Sequence, residues 1–147
     1  MTNILDPAEL GIVASEIGVF EWPQSTALSA TAAELPIGVI GPGSAPIAFG
    51  AIQIHPNTTY TASDSNYWTV QVYKRTAGGA GVLLAQGSSS VSLTSPIAFT
   101  QWVASSLVLS TGAGSFVSPG DVITGVVTKT GTPAALSFYL AGFFKII

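Results

Sequence analysis

Apolar and polar side chains alternate over residues 66–75, and this alternation is the clearest pattern in the chain. Trp68, Val70 and Val72 occupy one set of alternate positions, and mainly polar residues occupy the other. Successive side chains of a β-strand point to opposite faces, so a period of two that is rich in aromatic and β-branched residues predicts a strand. We predict a central strand here, with Trp68 anchoring a hydrophobic core.

Short apolar segments recur along the rest of the chain, separated by turns rich in Gly, Pro and Ser. They cover residues 36–40, 47–54, 82–86, 91–94, 105–109, 122–129 and 135–147. Gly50 interrupts one of these segments, which is typical of a bulge or of a close backbone approach, and Pro119-Gly120 predicts a turn before the strand that follows it. About eight short strands at this spacing favour an antiparallel β-sandwich or jelly roll. The predicted fold class is therefore all-β.

The chain begins with a different pattern. Asp6-Pro7 is typical of a helix start, because Asp caps a helix and Pro suits its first turn. Leu10, Val13 and Ile17 follow at helical spacing. A helix of about three turns is marginal by itself in water, so it would need a surface to lie on. We therefore predict a short N-terminal helix that contacts another part of the protein or a partner.

Charge also separates this segment from the rest. Five of the seven acidic residues and none of the four basic residues lie in residues 1–34. We predict an N-terminal arm over residues 1–34, made of the short helix and a linker, followed by a β-sandwich or jelly-roll domain over residues 35–147. The candidate partner-binding residues are the apolar side chains of the arm, Leu10, Val13, Ile17, Phe20 and Trp22. Packing of the two aromatic residues on the chain's own β-domain and docking on a neighbouring subunit both stay open.

The composition favours assembly with other protein. Only 7% of the residues are charged, against about 25% in an average soluble protein, and the mean hydropathy is +0.55. No run approaches the ~20 apolar residues of a membrane-spanning helix. A weakly charged domain hides its apolar surface by association, so we expect a homo-oligomer. The net charge of −3 argues against nucleic acid as a partner, and the first residues lack the pattern of a signal peptide.

The residues that could support catalysis or bind a metal are few. His55 is the one histidine, so a Ser-His-Asp system would have to combine it with Asp64 or Asp121, and no nucleophile motif accompanies them. The absence of cysteine and the single histidine argue against a zinc site. Asp64-Ser65-Asn66 is only a fragment of a calcium site. We expect no catalytic residue, no metal and no cofactor, and hence no enzyme.

Two segments together resemble a known class of proteins. They are residues 66–73 (NYWTVQVY) and residues 117–131 (VSPGDVITGVVTKTG), with a Pro-Gly-Asp-Val turn and a Thr-Lys-Thr-Gly exit. This pattern, spread over about residues 47–147, resembles the small jelly-roll structural proteins of tailed bacteriophages, especially capsid decoration (cement) proteins. Residues 138–144 (FYLAGFF) are also similar to the last strand of the trimeric jelly rolls of the tumour-necrosis-factor and complement type.

The resemblance implies a function without catalysis. A decoration protein of this kind would be made in the host cytoplasm and would then lie on the capsid surface of the virion. It would form a homotrimer and stabilise the junctions of the major capsid protein or of other virion subunits. The alternative is a tail or head-fibre module that binds a host receptor or carbohydrate. Neither quoted motif is a ligand site, so no binding residue transfers from the family, and the arm residues stay the candidate site.

Overall fold

The described residues fold into β-strands and contain no helix. The structure is a computed structural model that describes residues 15–20, 28–77, 79–93, 95–111 and 116–147, with the backbone alone for residues 15–20, 32 and 33. In chain order the strands are β1 (Ser15–Phe20), β2 (Ala32–Val39), β3 (Ile47–Pro56), β4 (Tyr67–Arg75), β5 (Val82–Ser88), β6 (Ser105–Ser106), β7 (Val108–Leu109), β8 (Phe116–Val117), β9 (Val122–Thr130) and β10 (Phe138–Ile146). The described part of the chain also contains no helix able to cross a membrane. The predicted all-β class is confirmed.

The strands form two antiparallel sheets. One has the order β1-β10-β3-β6, with β8 also paired to β3, and the other has the order β2-β9-β4-β5-β7. β1 pairs with β10, β2 with β9, β3 with β6 and β4 with β5, so the pairing is nested from the outside of the chain inwards. β10 also lies beside β3, and β9 beside β4. The nested strand pairs are therefore divided between the two sheets: β1–β10 and β3–β6 lie in one, and β2–β9 and β4–β5 lie in the other.

A single hydrophobic core lies between the sheets. Ile52 and Ile54 of β3 belong to the same buried cluster as Trp68, Val70 and Val72 of β4. Because these strands belong to different sheets, the sheets pack face to face as a sandwich. Trp68 and both valines are fully buried, which confirms the predicted inward face of the central strand.

Two sequence signals mark irregular backbone correctly. Gly50 has no partner in β10, because Phe143 pairs with Ala51 and Phe144 pairs with Phe49. This skipped position is the predicted bulge. Gly120 has a φ of 88°, in the left-handed region that the third residue of a type II turn requires, so the predicted Pro-Gly turn is also confirmed.

The N-terminal region differs from the predicted arm. Residues 15–18 belong to β1 and not to a helix, and Ile17 lies opposite Phe143 in the register with β10. A helix of about three turns is only marginally stable by itself in water. Pairing with β10 supplies hydrogen-bond partners to the backbone of residues 15–20, and this favours the strand. The rest of the predicted helix, residues 6–14, lies outside the described residues. The predicted boundary at residue 34 falls inside β2, which pairs with β9.

Two other predicted strands differ from the structure. Residues 91–93 are bends, because the neighbouring loop is held by side-chain hydrogen bonds instead of a ladder. The predicted strand over residues 105–109 is divided into β6 and β7, which pair with different sheets. Leu107 lies between them and is buried. The chain therefore crosses from one sheet to the other at this residue.

Candidate functional site

The long strands bring their connections together at two opposite ends of the sandwich. We define the loop end as the end formed by residues 57–66, 89–103 and 131–137, which follow β3, β5 and β9. We define the apolar end as the opposite end, formed by residues 39–47 and 116–121 together with residues 144–147. Both ends expose apolar side chains, which at the loop end are Val91, Leu93, Trp102 and Val103. The ends differ in their cavities, because hydroxyl and amide residues line the one at the loop end and mainly aliphatic residues line the other.

A cavity of about 360 Å³ opens at the loop end. Its lining residues are uncharged and mostly carry hydroxyl or amide groups: Thr59, Tyr60, Thr61, Ser63, Asn66, Ser89, Thr132, Pro133 and Ala134. The volume lies within the range of about 300–1,000 Å³ that is common for small-molecule sites. We call this cavity the loop-end pocket.

Asn66 holds one wall of the loop-end pocket. Its Oδ1 accepts hydrogen bonds from the backbone N–H of Thr132 at 2.7 Å and from the Thr132 hydroxyl at 3.2 Å. Gly131 makes this approach possible, because it has a φ of 66° and a Cβ at its position would lie 2.1 Å from the carbonyl oxygen of Ser65. Only glycine fits both conditions without a shift of the backbone.

Buried aromatic residues support the same pocket. The indole Nε1 of Trp68 donates to the carbonyl oxygen of Ala134 at 2.8 Å, and the Trp68 backbone N–H donates to the Ser89 hydroxyl at 3.0 Å. The Tyr60 hydroxyl donates to the carbonyl oxygen of Ala135. Burial raises the pKa of Tyr60, so its hydroxyl stays protonated and serves as this donor. The pocket is thus fixed directly to the core.

Asp64 organises the loop next to the pocket. Its Oδ1 accepts hydrogen bonds from the Ser90 hydroxyl at 2.7 Å, from the Val91 N–H at 3.0 Å and from the Ser92 N–H at 2.9 Å. These bonds, the one from the Ser90 side chain first, hold the pKa of the Asp64 carboxyl below its usual range. Because one carboxylate satisfies two backbone N–H groups, residues 91–93 form a capped loop and not the predicted strand.

Trp102 is the most unusual residue at the loop end. It is 70% exposed and has a φ of 58°, in the left-handed region. The Val103 N–H donates to the carbonyl oxygen of Thr100 at 3.1 Å, so Trp102 occupies the third position of a tight turn, where glycine is usual. The turn adjoins the loop-end pocket, because the Gln101 N–H donates to Thr59 Oγ1 at 3.0 Å.

The apolar end has a different surface. Val39 is 65% exposed, Phe116 on β8 is 45% exposed, and Ile146 and Ile147 are exposed as well. A cavity of about 240 Å³ lies between Val39 and Ile146 and is lined by Val39, Ile40, Gly41, Ser44, Ala45, Ile47, Phe144 and Ile146. Exposed apolar side chains gathered in one place mark a contact surface for protein.

One ion pair lies near the apolar end, where β4 finishes. Arg75 donates to Glu34 through Nε at 2.6 Å and through a terminal nitrogen at 2.5 Å, which is a bidentate arrangement. The Arg75 guanidinium also lies 5.8 Å from the centre of the Tyr73 ring. Hydrogen bonds from Arg75 and then Thr124 lower the pKa of Glu34. This cluster fixes the edge strand β2 to the middle of its sheet.

The described structure includes two of the five predicted partner-binding residues. Ile17 and Phe20 lie on β1, opposite Phe143 and Leu140. The other three, Leu10, Val13 and Trp22, lie outside the described residues. The sequence reasoning did not select Trp102, Val39, Phe116, Ile146 and Ile147 as candidate binding residues. A tryptophan in a stretch of turn residues was the one available signal, whereas exposure of the aliphatic residues depends on strand ends that the pattern does not specify.

The three residues considered for catalysis are not grouped. Asp64 lies at the loop end, and Asp121 lies at the apolar end, where its Oδ2 accepts from the Ser118 N–H at 2.8 Å. His55 lies on β3, opposite Tyr139 of β10. Within the described ranges there is also no cluster of three or more His, Cys, Asp or Glu side chains that could hold a metal ion.

Comparison with known proteins gives no match: no family model, no curated protein and no solved structure is similar to this chain.

Proposed function

We propose that this protein is a non-enzymatic structural subunit that binds other protein through its apolar end, as a capsid decoration protein of a tailed bacteriophage does. In this proposal its partners are the major capsid protein and further copies of itself, and it acts as a homotrimer on the virion surface. The observation that carries the proposal is the apolar cavity lined by the exposed side chains of Val39 and Ile146, on a domain with few charges.

The strand order supports a jelly roll as the fold. A jelly roll arises when four nested antiparallel pairs are wrapped over two sheets. The pairs β1–β10, β2–β9, β3–β6 and β4–β5, with β10 beside β3 and β9 beside β4, follow this order. β7 and β8 are short additions to the edge beside β5 and to β3. Jelly rolls are common in viral capsid proteins and also in lectins and cupins, so the fold is compatible with the proposal without requiring it.

The chemistry of the apolar end supports protein as the partner. Its exposed side chains are aliphatic or aromatic. Burial of such side chains against a partner is favourable by roughly 25 cal/mol for each Å² of apolar surface removed from water. The cavity between Val39 and Ile146 can accept an apolar side chain of a partner. The low content of charged residues, 7% of the chain, limits the repulsion that would oppose close packing of many copies.

A matched pair of substitutions tests the apolar end. Val39→Asp puts a charge beside the cavity, and Val108→Asp puts the same charge on β7, away from it, at a position that is 51% exposed. We expect Val39→Asp to weaken self-association, or binding to heads purified from the phage that encodes the chain, by at least tenfold, about 1.4 kcal/mol. Sedimentation velocity and co-sedimentation with the heads measure the two effects.

The control variant tests whether the position of the added charge matters. Val108→Asp should leave association unchanged, and circular dichroism should show both variants folded. A wild-type chain that stays monomeric and binds no phage head contradicts the proposal. Equal loss of association in both variants would show that a general charge effect, and not the apolar end, governs association.

A further inference from the structure

The conformation of Trp102 has no explanation in the packing of the domain. A bulky residue with a positive φ carries a conformational penalty that glycine avoids. Burial of the ring would offset this penalty, but the side chain is 70% exposed. The turn itself would form more readily with glycine at this position. An exposed aromatic ring is therefore held in place at a cost in stability, next to the loop-end pocket.

The polar groups of the loop-end pocket keep hydrogen-bonding capacity after the loops have formed. Asn66 uses its Oδ1 for Thr132, and no acceptor for its Nδ2 is found among the described residues. The Ser89 and Thr59 hydroxyls each accept one backbone N–H, which leaves their protons available as donors. Thr61 is exposed and makes no side-chain hydrogen bond within the described ranges. The pocket thus presents several donors and acceptors of fixed position.

The absence of charge in the pocket lining restricts the class of ligand. The lining residues have no Lys, Arg, His, Asp or Glu side chain, so phosphate, carboxylate and metal ions would find no compensating charge there. A neutral ligand with many hydroxyl groups suits such a lining. The Asp64 carboxylate is next to the pocket but is not among its lining residues.

We propose that the loop end binds a neutral saccharide. The ring hydroxyls bond to the hydroxyl and amide groups of the loop-end pocket, and the C–H face of a sugar ring packs on the exposed indole of Trp102. A cavity of about 360 Å³ accommodates one or two sugar rings. The indole of Trp102 supplies a large apolar contact area. Hydrogen bonds to Asn66, Thr61 and Ser89 fix the orientation of the sugar. This activity goes beyond the proposed structural function and does not depend on it.

Titration of the full-length protein with simple neutral sugars tests the proposal. Glucose, galactose, mannose and N-acetylglucosamine, with the corresponding β-linked disaccharides, are added to tens of millimolar, above a Kd on the order of 1 mM. Amide shifts are followed by heteronuclear NMR. We expect at least one sugar to shift residues 59–66, 100–103 and 131–134 and to leave the apolar end unchanged. No shift with any of these sugars overturns the proposal.

Two variants separate binding from folding. Trp102→Gly removes the ring and also relieves the positive φ, so the melting temperature should not fall, while sugar affinity should fall at least tenfold. Thr61→Val replaces one hydroxyl with a methyl group of similar size and should weaken binding about threefold. Phe116→Ala, at the apolar end, is the matched control and should bind sugar normally.

The remaining outcomes also decide the question. Unchanged sugar affinity in Trp102→Gly overturns the proposal. If no sugar binds but Trp102→Gly loses affinity for phage heads, Trp102 is a protein contact and the saccharide site does not exist. Failure of the apolar-end experiment with Val39→Asp leaves the sugar titration unaffected, so the two proposals are separable.

Discussion

The two ends of the sandwich close the same core in different ways. At the loop end, side chains such as Asp64 and Asn66 bind backbone groups and hold the loops in fixed positions. At the apolar end, a Pro-Gly turn closes the backbone and exposed apolar residues such as Val39 and Phe116 lie around it. The first arrangement favours a preformed pocket for a small polar ligand. The second favours a surface that other protein covers.

The comparison also shows where each end obtains its rigidity. Loop-end residues reach into the core through Trp68, which bonds to both Ser89 and Ala134. Apolar-end residues such as Phe116 lie on the surface, and the carbonyl oxygen of Phe116 accepts a hydrogen bond from Lys74 Nζ at 2.5 Å. The apolar end is also fixed to the core, through Ile47 and Val117. A change at Trp68, however, should affect the loop end first.

Loss of Trp68 should have the largest effect. Trp68→Ala removes a fully buried side chain and the indole hydrogen bond to Ala134 that supports the loop-end pocket, so we expect a loss of about 3–5 kcal/mol in the free energy of unfolding. Phe116→Ala removes an exposed ring and should change it by less than about 0.5 kcal/mol. Urea denaturation of both variants measures the difference. Similar losses in both would mean that the apolar end is as tightly packed as the loop end.

Substitution of glycine should have the next largest effect, and it differs between the ends. Gly131→Ala at the loop end brings a Cβ to 2.1 Å from the Ser65 carbonyl oxygen and requires a positive φ. We expect a loss of about 2–4 kcal/mol. Gly43 at the apolar end also has a positive φ, of 92°, but nothing lies within 4 Å of an added Cβ, so Gly43→Ala should lose only about 1–2 kcal/mol. Thermal unfolding checks the order, and a larger loss for Gly43→Ala would contradict it.

Acid pH should have the smallest effect on stability, and it should act through two carboxylates. Asp64 and Glu34 both have pKa values lowered by their partners in the folded protein. Each therefore stabilises the folded state above the unfolded carboxyl pKa of about 4, and this contribution is lost as the pH falls through the lower folded pKa. Melting temperatures measured between neutral pH and strong acid should fall less steeply for Asp64→Asn and for Glu34→Gln than for wild type.

Salt tells the two carboxylates apart. The partner of Glu34 is the charged Arg75, so high salt should reduce its share of the acid response, whereas the partners of Asp64 are neutral and its share should persist. An equal response of the two variants to salt would show that the Glu34–Arg75 pair contributes nothing measurable.

Periodicity was sufficient to predict the central features of the fold. The alternation around Trp68 identified the buried face of β4, and Gly50 and Gly120 marked the bulge and the turn, because each of these signals is local. The helical spacing of Leu10, Val13 and Ile17 gave no information on the edge of β10, with which residues 15–20 pair. Pairing between residues so far apart in the chain depends on tertiary structure, which a local pattern does not contain.

The candidate sites were harder to predict for the same reason. The residues of the loop-end pocket come from three separate segments, and each is an ordinary turn residue when considered alone. Val91 and Leu93 alternate with polar residues as a strand would, but the hydrogen bonds that Asp64 accepts from the Val91 and Ser92 N–H groups favour a loop. Exposure of Val39 and Ile146 follows from their positions at strand ends, which sequence reasoning locates only within a few residues.

The edges of the two sheets have a consequence for the protein at high concentration. β6 and β7 are two residues long, and β2 contains Pro36 and two shifts of register. Edges that are so short or irregular offer few consecutive free backbone groups to a strand of another molecule, and this suppresses the growth of amyloid-like fibres. The six-residue edge β1 is the longest regular edge among the described strands. If a concentrated solution converts to fibres, cross-β stacking should therefore begin at β1, and a proline within this strand should delay its onset.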